Sequence, residues 1–280
     1  MNLNEIKIVA DSSADVLELS GVDFGVAPLK IITAQKEYVD EQGLNVAGMV
    51  QDLANYKGRS SSSCPNASDW LAAFGEAKYV FCVTITSGLS GSFASAVMAK
   101  AEYEEAHPDR KVFVLDSLSA GPELTLFVYK LKQLILQGFS FDEVCQRIRE
   151  YSQKTGLLFM LESLKNFANN GRVNPLVAKA VGLLGIRMVG KASDKGQLQP
   201  LDKCRGEQKA LRAILSRLKD EGLKNGRVII HHCQNSAAAD TLKGMILTEF
   251  SEASVEISQA LGLCSFYAEK GGMLIGFEKF

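Results

Sequence analysis

The chain has 280 residues, 46% of them hydrophobic and 22% charged, which is typical of a globular protein with a sizeable core. Its 31 basic and 32 acidic residues create no overall basic field, so we expect no nucleic-acid partner. No segment approaches the roughly 20 apolar residues of a membrane span, and residues 1–5 lack the character of a signal peptide, so we expect no stable membrane insertion and a cytoplasmic location.

Apolar runs alternate with helical patterns along the first half of the chain. Runs typical of buried parallel strands are Ile6–Ala10, Tyr79–Val83 and Val112–Leu115. Two further strands, which would form a hairpin, are predicted at Phe24–Thr33 and Lys36–Val39. The helical patterns are Val46–Tyr56, Ser68–Ala77, Phe93–Ala106, Pro122–Gln137 and Phe141–Lys154. This alternation predicts an α/β fold.

The same alternation continues in the second half, which begins near Gly156. An apolar run covers Leu157–Leu161, and further strands are predicted at Arg187–Val189, Val228–His231, Val255–Ser258 and Met273–Phe277. Helices are predicted at Pro175–Leu184, Glu207–Glu221 and Ala237–Phe250. We therefore expect two α/β domains, residues 1–155 and residues 156–280.

Three predicted strands of the first half end in polar loops. Asp11, Ser12 and Ser13 follow the first strand, residues 84–92 follow the strand at Tyr79, and Asp116 follows the strand at Val112. Because ligands of open α/β sheets bind at the carboxyl ends of strands, these loops predict one common site. Capping of the helices that follow is an equally good interpretation of Asp11 and Asp116.

The turn Ser87-Gly88-Leu89-Ser90-Gly91-Ser92 is the most informative of these loops. Its glycines let the backbone approach a ligand closely, and its serines offer hydroxyl donors. The helix predicted to follow would point its N-terminus, and the favourable end of its dipole, at a bound anion. The turn has no strong base beside it, which favours binding over bond cleavage.

Two further loops are candidates for the same site. Residues 60–65 hold four serines, a cysteine and a proline, and form either part of the site or an exposed flexible loop. Arg172 follows Asn170 and Gly171, so it either clamps a carboxylate or phosphate or is a solvated surface side chain.

Several other chemistries have little support. The turn at Gly88 lacks the final glycine of a nucleophile elbow, and no nucleotide-binding glycine motif occurs. His231 and His232 are neighbours in a predicted strand and would point to opposite faces, so we expect no metal site. The six cysteines form no C-x-x-C pair, which indicates reduced thiols. A Cys64 nucleophile is an open alternative, but its neighbours supply no activating base.

Four blocks of the sequence match a known pattern. Ile8–Asp15 resembles an opening strand with a T-D-S-T/S loop, and Ser62–Asn66 resembles a T-S-Q-P-S loop. Thr86–Ala96 is close to S-S-G-L-S-G-T-Y-Q-S-A, the most specific block, and Asn170–Val173 is similar to G-G-R-I. Gly271–Phe277 aligns loosely with a closing strand. On these blocks the chain resembles the DegV family of bacterial fatty-acid-binding proteins, the binding subunits of a fatty acid kinase system.

The resemblance implies two α/β domains with a long-chain fatty acid in the cleft between them. It implies that Ser62 and Ser90 hold the carboxylate, and that the head-group neighbours are Ser63, Gly91, Arg172, Tyr267, Asp11 and Ser12. It also implies a non-catalytic protein with no cofactor or metal, whose partner protein is a fatty acid kinase that forms an acyl phosphate.

The sequence departs from the family pattern in two places. Tyr267 stands where the family usually has histidine, and Gly185–Val189 replaces the K-P-I-L stretch. Tyrosine titrates at about pH 10 and does not supply the cation of a protonated histidine. Two alternatives remain: a serine or cysteine hydrolase of a small acyl or phosphoryl substrate, and a carrier of another amphipathic anion.

Overall fold

The computed structural model describes residues 1–179, 181 and 185–280. In chain order its strands are β1 Ile6–Asp11, β2 Asp23–Ala27, β3 Lys30–Ile32, β4 Glu37–Val39, β5 Ser61–Ser63, β6 Tyr79–Thr84, β7 Lys111–Asp116, β8 Thr155–Leu161, β9 Ile186–Ala192, β10 Leu198–Arg205, β11 Arg227–His232, β12 Ser254–Gln259 and β13 Met273–Glu278. Its α-helices are α1 Val46–Asn55, α2 Ala67–Phe74, α3 Ser92–Ala106, α4 Pro122–Leu136, α5 Phe141–Ser152, α6 Lys165–Asn169, α7 Pro175–Lys179, α8 Glu207–Asp220, α9 Ser236–Glu249 and α10 Gly262–Ala268.

The first sheet is parallel, with strand order β2-β1-β6-β7. Its two central strands are apolar on both faces because helices cover both sides. Ile8 and Phe81 pack in the core with α4 and α5, whereas Val9 and Cys82 pack with α2 and α3. This arrangement places the carboxyl ends of β1, β6 and β7 along one edge.

The second sheet has six strands in the order β10-β9-β8-β13-β11-β12, and only β11 and β12 are parallel neighbours. Leu158 and Ile275 point to the face that packs on α8 and α9. Because side chains alternate along a strand, Leu157 and Phe159 point to the opposite face, towards the first half of the chain. There β13 lies against the start of α4, where a Cβ at Gly276 would be 2.6 Å from the backbone nitrogen of Glu123.

A small third sheet, β4-β3-β5, joins the two halves. Helix α10 of the second half packs on it: Phe266 lies in one core cluster with Ile31, Tyr38 and Met49. The first sheet uses only strands before residue 155 and the second only strands from Thr155 onwards. The division at residue 155 stays a prediction, and α10 crosses it by packing on the first half.

The α/β class is confirmed, and most predicted elements are present. Phe24–Thr33 is two strands, β2 and β3, which are separated at Pro28 and Leu29 and belong to different sheets. Strands β3 and β4 form the predicted hairpin. The sequence reasoning missed β5, β10, α6 and α10. Of the helix predicted at Pro175–Leu184, the structure has α7, and positions 180 and 182–184 lie outside the described residues.

Across the described ranges, no helix is long and apolar enough to cross a membrane. The cytoplasmic location stays a prediction.

Candidate functional site

A cavity of about 270 Å³ lies between the two halves, at the edge where β1, β6 and β7 end. Its walls are mainly aliphatic and aromatic, and both halves contribute. The larger apolar lining residues are Leu29, Ile85, Leu89, Leu157, Phe159, Leu161, Phe167, Leu198, Leu263 and Leu274. Such a cavity suits a ligand with an apolar body.

Hydroxyl groups lie together in one part of the cavity wall. Ser62 is on β5, which pairs with β3 so that Ser62 stands opposite Ile31. The Ser62 hydroxyl is 2.7 Å from the Tyr267 hydroxyl, which comes from the second half of the chain on α10. The Ser62 N–H donates to the side-chain oxygen of Asn170 at 3.3 Å, so a second contact joins the halves here. Ser63 also lines the cavity.

Ser90 and Gly91 bring a helix N-terminus to the same cavity. Gly91 is the N-cap of α3, and the Ser92 N–H donates to the Ser90 hydroxyl at 3.2 Å. Gly91 itself has no side chain to cap the helix, which leaves first-turn N–H groups for a bound anion. A Cβ at Gly91 would be 3.2 Å from the Cys64 sulfur, so glycine suits this crowded position.

Arg172 supplies a positive charge to the lining. Its Nε donates to the Leu89 carbonyl at 3.2 Å, and its guanidinium also donates to the Asn170 carbonyl. Burial raises the pKa of Tyr267, while the Ser62 hydroxyl and the Arg172 charge act in the opposite direction. Tyr267 is therefore a neutral hydroxyl at physiological pH, packed on Phe167 with ring centroids 4.6 Å apart.

Asp11 and Ser12 are not among the cavity-lining residues, in contrast to what the resemblance implied. Asp11 is fully buried, and its carboxylate accepts hydrogen bonds from the Ile85 N–H at 2.8 Å, the Ser92 hydroxyl at 2.6 Å, and both the N–H and hydroxyl of Ser13. Burial raises the pKa of Asp11, and these hydrogen bonds oppose that rise. Asp11 thus holds the turn between β6 and α3 in place from behind.

Ser12 has a similar supporting position. Its hydroxyl accepts the Leu29 N–H at 3.0 Å and is buried. Leu29 in turn lines the cavity, so Ser12 fixes one apolar wall.

The turn between β9 and β10 is a part of the site that sequence reasoning missed. Gly196 and Gln197 line the cavity. This turn packs directly against residues 86–88, in the turn that follows β6. A Cβ at Gly88 would be 2.5 Å from the Lys195 carbonyl, and a Cβ at Gly196 would overlap the Thr86 side chain. The glycine in residues 193–196 signals a turn, but nothing local signals its contact with residues 86–88.

The lining chemistry favours anion binding. Among the described residues that line the cavity there is no Asp, Glu or His, and the charged ones are Arg172 and Lys191. His231 is buried elsewhere and pairs with Asp15 at 2.7 Å. A Cys64 or Ser90 nucleophile would therefore have no base beside it in this cavity. Within the described part of the chain, no cluster of His, Cys, Asp or Glu is arranged to hold a metal ion.

Comparison with known proteins agrees with this geometry. Residues 5–279 match the family model described as "Uncharacterised protein, DegV family". This chain belongs to the DegV family. A DegV domain-containing protein of Streptococcus pneumoniae is 44% identical over 276 residues, which cover 97% of this chain and 98% of the relative.

Two solved structures of DegV-type proteins are closely similar to this DegV chain. A DegV family protein from Eubacterium eligens, loaded with heptadecanoic acid, has a TM-score of 0.96 and 42% identity, with 98% of this chain and 100% of that chain covered. The Fatty Acid Kinase (Fak) B3 protein of Streptococcus pneumoniae, loaded with linoleic acid, has a TM-score of 0.96 and 43% identity, with 98% and 99% covered. The family resemblance and the DegV-type fold are confirmed, and these relatives give the hydrolase alternative no support.

Proposed function

We propose that this protein binds a long-chain fatty acid in the cavity between its two halves. The observation that carries the proposal is an apolar cavity whose lining holds serine hydroxyls, a helix N-terminus and cationic side chains but, among the described residues, no carboxylate or imidazole. Two structurally similar proteins of the same family contain fatty acids, which supports the same ligand class here.

The carboxylate is held by the hydroxyls of Ser62 and Ser90, with the N-terminus of α3 behind it. Ser63, Gly91, Arg172 and Tyr267 surround this head group and line the same cavity. Each carboxylate oxygen has two lone-pair directions, so these donors keep the buried charge from being left unpaired. Asp11 and Ser12 act one step removed, by fixing the turns that carry these donors.

Burial of the tail supplies most of the affinity. Each methylene that leaves water contributes about 0.8 kcal/mol, so about a dozen contribute on the order of 10 kcal/mol. Ordering of the flexible chain and loss of its free motion reduce this gain. Leu157, Phe159 and Leu161 lie along one face of β8 and form a continuous apolar surface for such a tail.

The protein itself is non-catalytic in this proposal and presents its ligand to a fatty acid kinase. Two considerations support this role. The described lining residues include no Asp, Glu or His to activate Ser90 or Cys64, and the similar Streptococcus pneumoniae structure carries the name of a fatty acid kinase component. In this proposal the protein binds the fatty acid and passes it to the kinase, and no cofactor takes part in binding.

Extraction of the purified protein tests the proposal. Denaturation and organic extraction followed by gas chromatography and mass spectrometry should release close to one fatty acid per chain. Protein that is empty on extraction and that fails to take up added fatty acid would refute the function. A different amphipathic anion in the extract would favour the general carrier, and turnover of simple esters that Ser90→Ala abolishes would favour the hydrolase.

A further inference from the structure

Helix α10 belongs to the second half of the chain, yet carboxylates of the first half hold its first turn. The Gly262 N–H donates to one carboxylate oxygen of Asp40 at 2.8 Å, and the Leu263 N–H donates to the other at 2.9 Å. The Leu261 N–H, just before the helix, donates to Asp15 at 3.1 Å. Three successive N–H groups of the helix start are thus bound across the junction of the two halves.

These carboxylates are buried and take no part in lining the cavity. Asp40 is 1% exposed, and the Asp15 side chain is 1% exposed. The second oxygen of Asp15 is 2.7 Å from Nδ1 of His231, whose side chain is also buried. A carboxylate removed from water to this degree is costly unless it is fully hydrogen-bonded, and here the donors are the start of α10 and His231.

Helix α10 carries a side chain of the proposed head-group site one turn further on. Tyr267 lies four residues after Leu263, about 6 Å along a helix axis, and its hydroxyl is 2.7 Å from that of Ser62. A short helix moves as a unit, so a shift of its first turn carries Tyr267 with it. Asp40 and Gly262 also fit closely, since a Cβ at Gly262 would overlap the Asp40 carboxylate.

We propose that Asp40 and Asp15 are positioning residues for the fatty-acid site: they seat α10 so that the Tyr267 hydroxyl stays within hydrogen-bond distance of Ser62. The proposal rests on the proposed function, because it assigns Tyr267 a role at the ligand carboxylate. Asp40 and Asp15 act through α10 and touch no ligand. Nothing local in residues 15 or 40 signals this role, because it depends on contacts more than 220 residues away along the chain.

A double-mutant cycle tests the route through Tyr267. Binding of cis-parinaric acid, a naturally fluorescent fatty acid, is measured for the delipidated wild type, Asp40→Asn, Tyr267→Phe and the double variant. Asp40→Asn should raise Kd about tenfold. Leu263 on the same helix also lines the cavity, so the double variant should still bind weaker than Tyr267→Phe alone, but by well under tenfold. Effects that multiply in the double variant, or an unchanged Kd in Asp40→Asn, would overturn the proposal.

Thiol labelling reports the seating of α10 without any ligand. Cys264, on α10, is buried, and its sulfur lies 3.5 Å from the Ser13 carbonyl of the first half. Asp40→Asn should speed labelling of Cys264 at least severalfold, with the labelled residue identified by mass spectrometry. Leu242→Ala, on the buried face of α9, is the control: it lowers stability but leaves the start of α10 intact. Labelling of Cys264 in this variant should therefore stay as slow as in wild type, provided that both variants are kept well below their unfolding midpoints.

Gly262→Ala provides a second route to the same displacement, because its Cβ forces the helix start away from an intact Asp40. It should reproduce the faster Cys264 labelling of Asp40→Asn. Equal labelling in wild type, Asp40→Asn and Gly262→Ala would refute the positioning role. Failure of the wild type to bind any fatty acid would instead refute the proposed function, and the labelling result would still decide how α10 is seated.

Discussion

Asp11→Asn tests whether the buried Asp11 carboxylate stabilises the turn between β6 and α3, which carries Ser90. One carboxylate oxygen accepts from the N–H and hydroxyl of Ser13, and the other accepts from the Ile85 N–H at 2.8 Å and the Ser92 hydroxyl at 2.6 Å. Asparagine replaces one oxygen with an NH₂ group. Either orientation of the amide then sets this donor against a backbone N–H, which cannot reverse its role as a hydroxyl can.

The expected loss of stability can be worked out from these hydrogen bonds. One hydrogen bond to a buried carboxylate is lost, and one buried N–H is left unsatisfied, which together reduce the free energy of unfolding by about 2–4 kcal/mol. This is a large share of the roughly 5–15 kcal/mol that stabilises a typical domain. Because Ile85 and Ser92 border the turn that carries Ser90, fatty-acid affinity should fall as well.

Urea unfolding followed by circular dichroism measures the loss, as a lower midpoint with an unchanged slope. The control is Asp23→Asn, since Asp23 is exposed and pairs with Lys7 at 3.5 Å, an arrangement worth at most about 1 kcal/mol. If Asp11→Asn is no more destabilising than Asp23→Asn, the buried carboxylate does not hold the turn and the reasoning is wrong.

Ser90→Ala should weaken fatty-acid binding by about 1–3 kcal/mol in a displacement assay, whereas Ser251→Ala, in an exposed turn, should leave affinity unchanged; equal affinities would remove Ser90 from the site. Burial raises the pKa of Asp40 to about 7. The folded state thus holds this proton more tightly than the unfolded chain does, and the resulting stability, complete below about pH 4, is lost as pH rises through about 7. Urea midpoints should therefore fall more between about pH 5 and about pH 8 in wild type than in Asp40→Asn, and parallel profiles would contradict this assignment. Gly196→Ala should raise the fatty-acid Kd in the same displacement assay. Its Cβ would overlap the Thr86 side chain and push apart the two turns that border the cavity. A Kd equal to that of wild type would show that these turns need not be in contact.

Much of the first sheet and of the turn between β6 and α3 could be predicted from local sequence. The apolar runs of β1, β6 and β7 are buried on both faces, so their composition alone indicates parallel strands. Gly91 precedes a regular helix, and that local pattern sufficed to predict a helix N-terminus at this point, which the structure places at the cavity. Asp11 was correctly associated with this edge, but its sequence neighbourhood could not distinguish a ligand contact from a buried support.

The elements that were missed depend on distant partners. Residues 60–63 have a serine-rich composition typical of loops, and β5 forms because β3 offers it a free edge. Helix α10 is short and partly aromatic, and its start is held by Asp15 and Asp40 from the other half of the chain. Strand β10 contains Pro200 at a register shift on the sheet edge, which hides its strand character.

The packing of α10 on the small sheet bears on any attempt to divide the chain. A fragment ending at residue 155 would lack Phe266, which packs on Ile31 and Met49. These two apolar side chains would then be exposed to solvent. The complementary fragment would expose the apolar side chains of α10 and leave the N–H groups of Leu261, Gly262 and Leu263 without their carboxylate partners. Each fragment expressed alone should therefore aggregate or be degraded. The two fragments expressed together should associate and restore the fold, as the halves of a split reporter protein do.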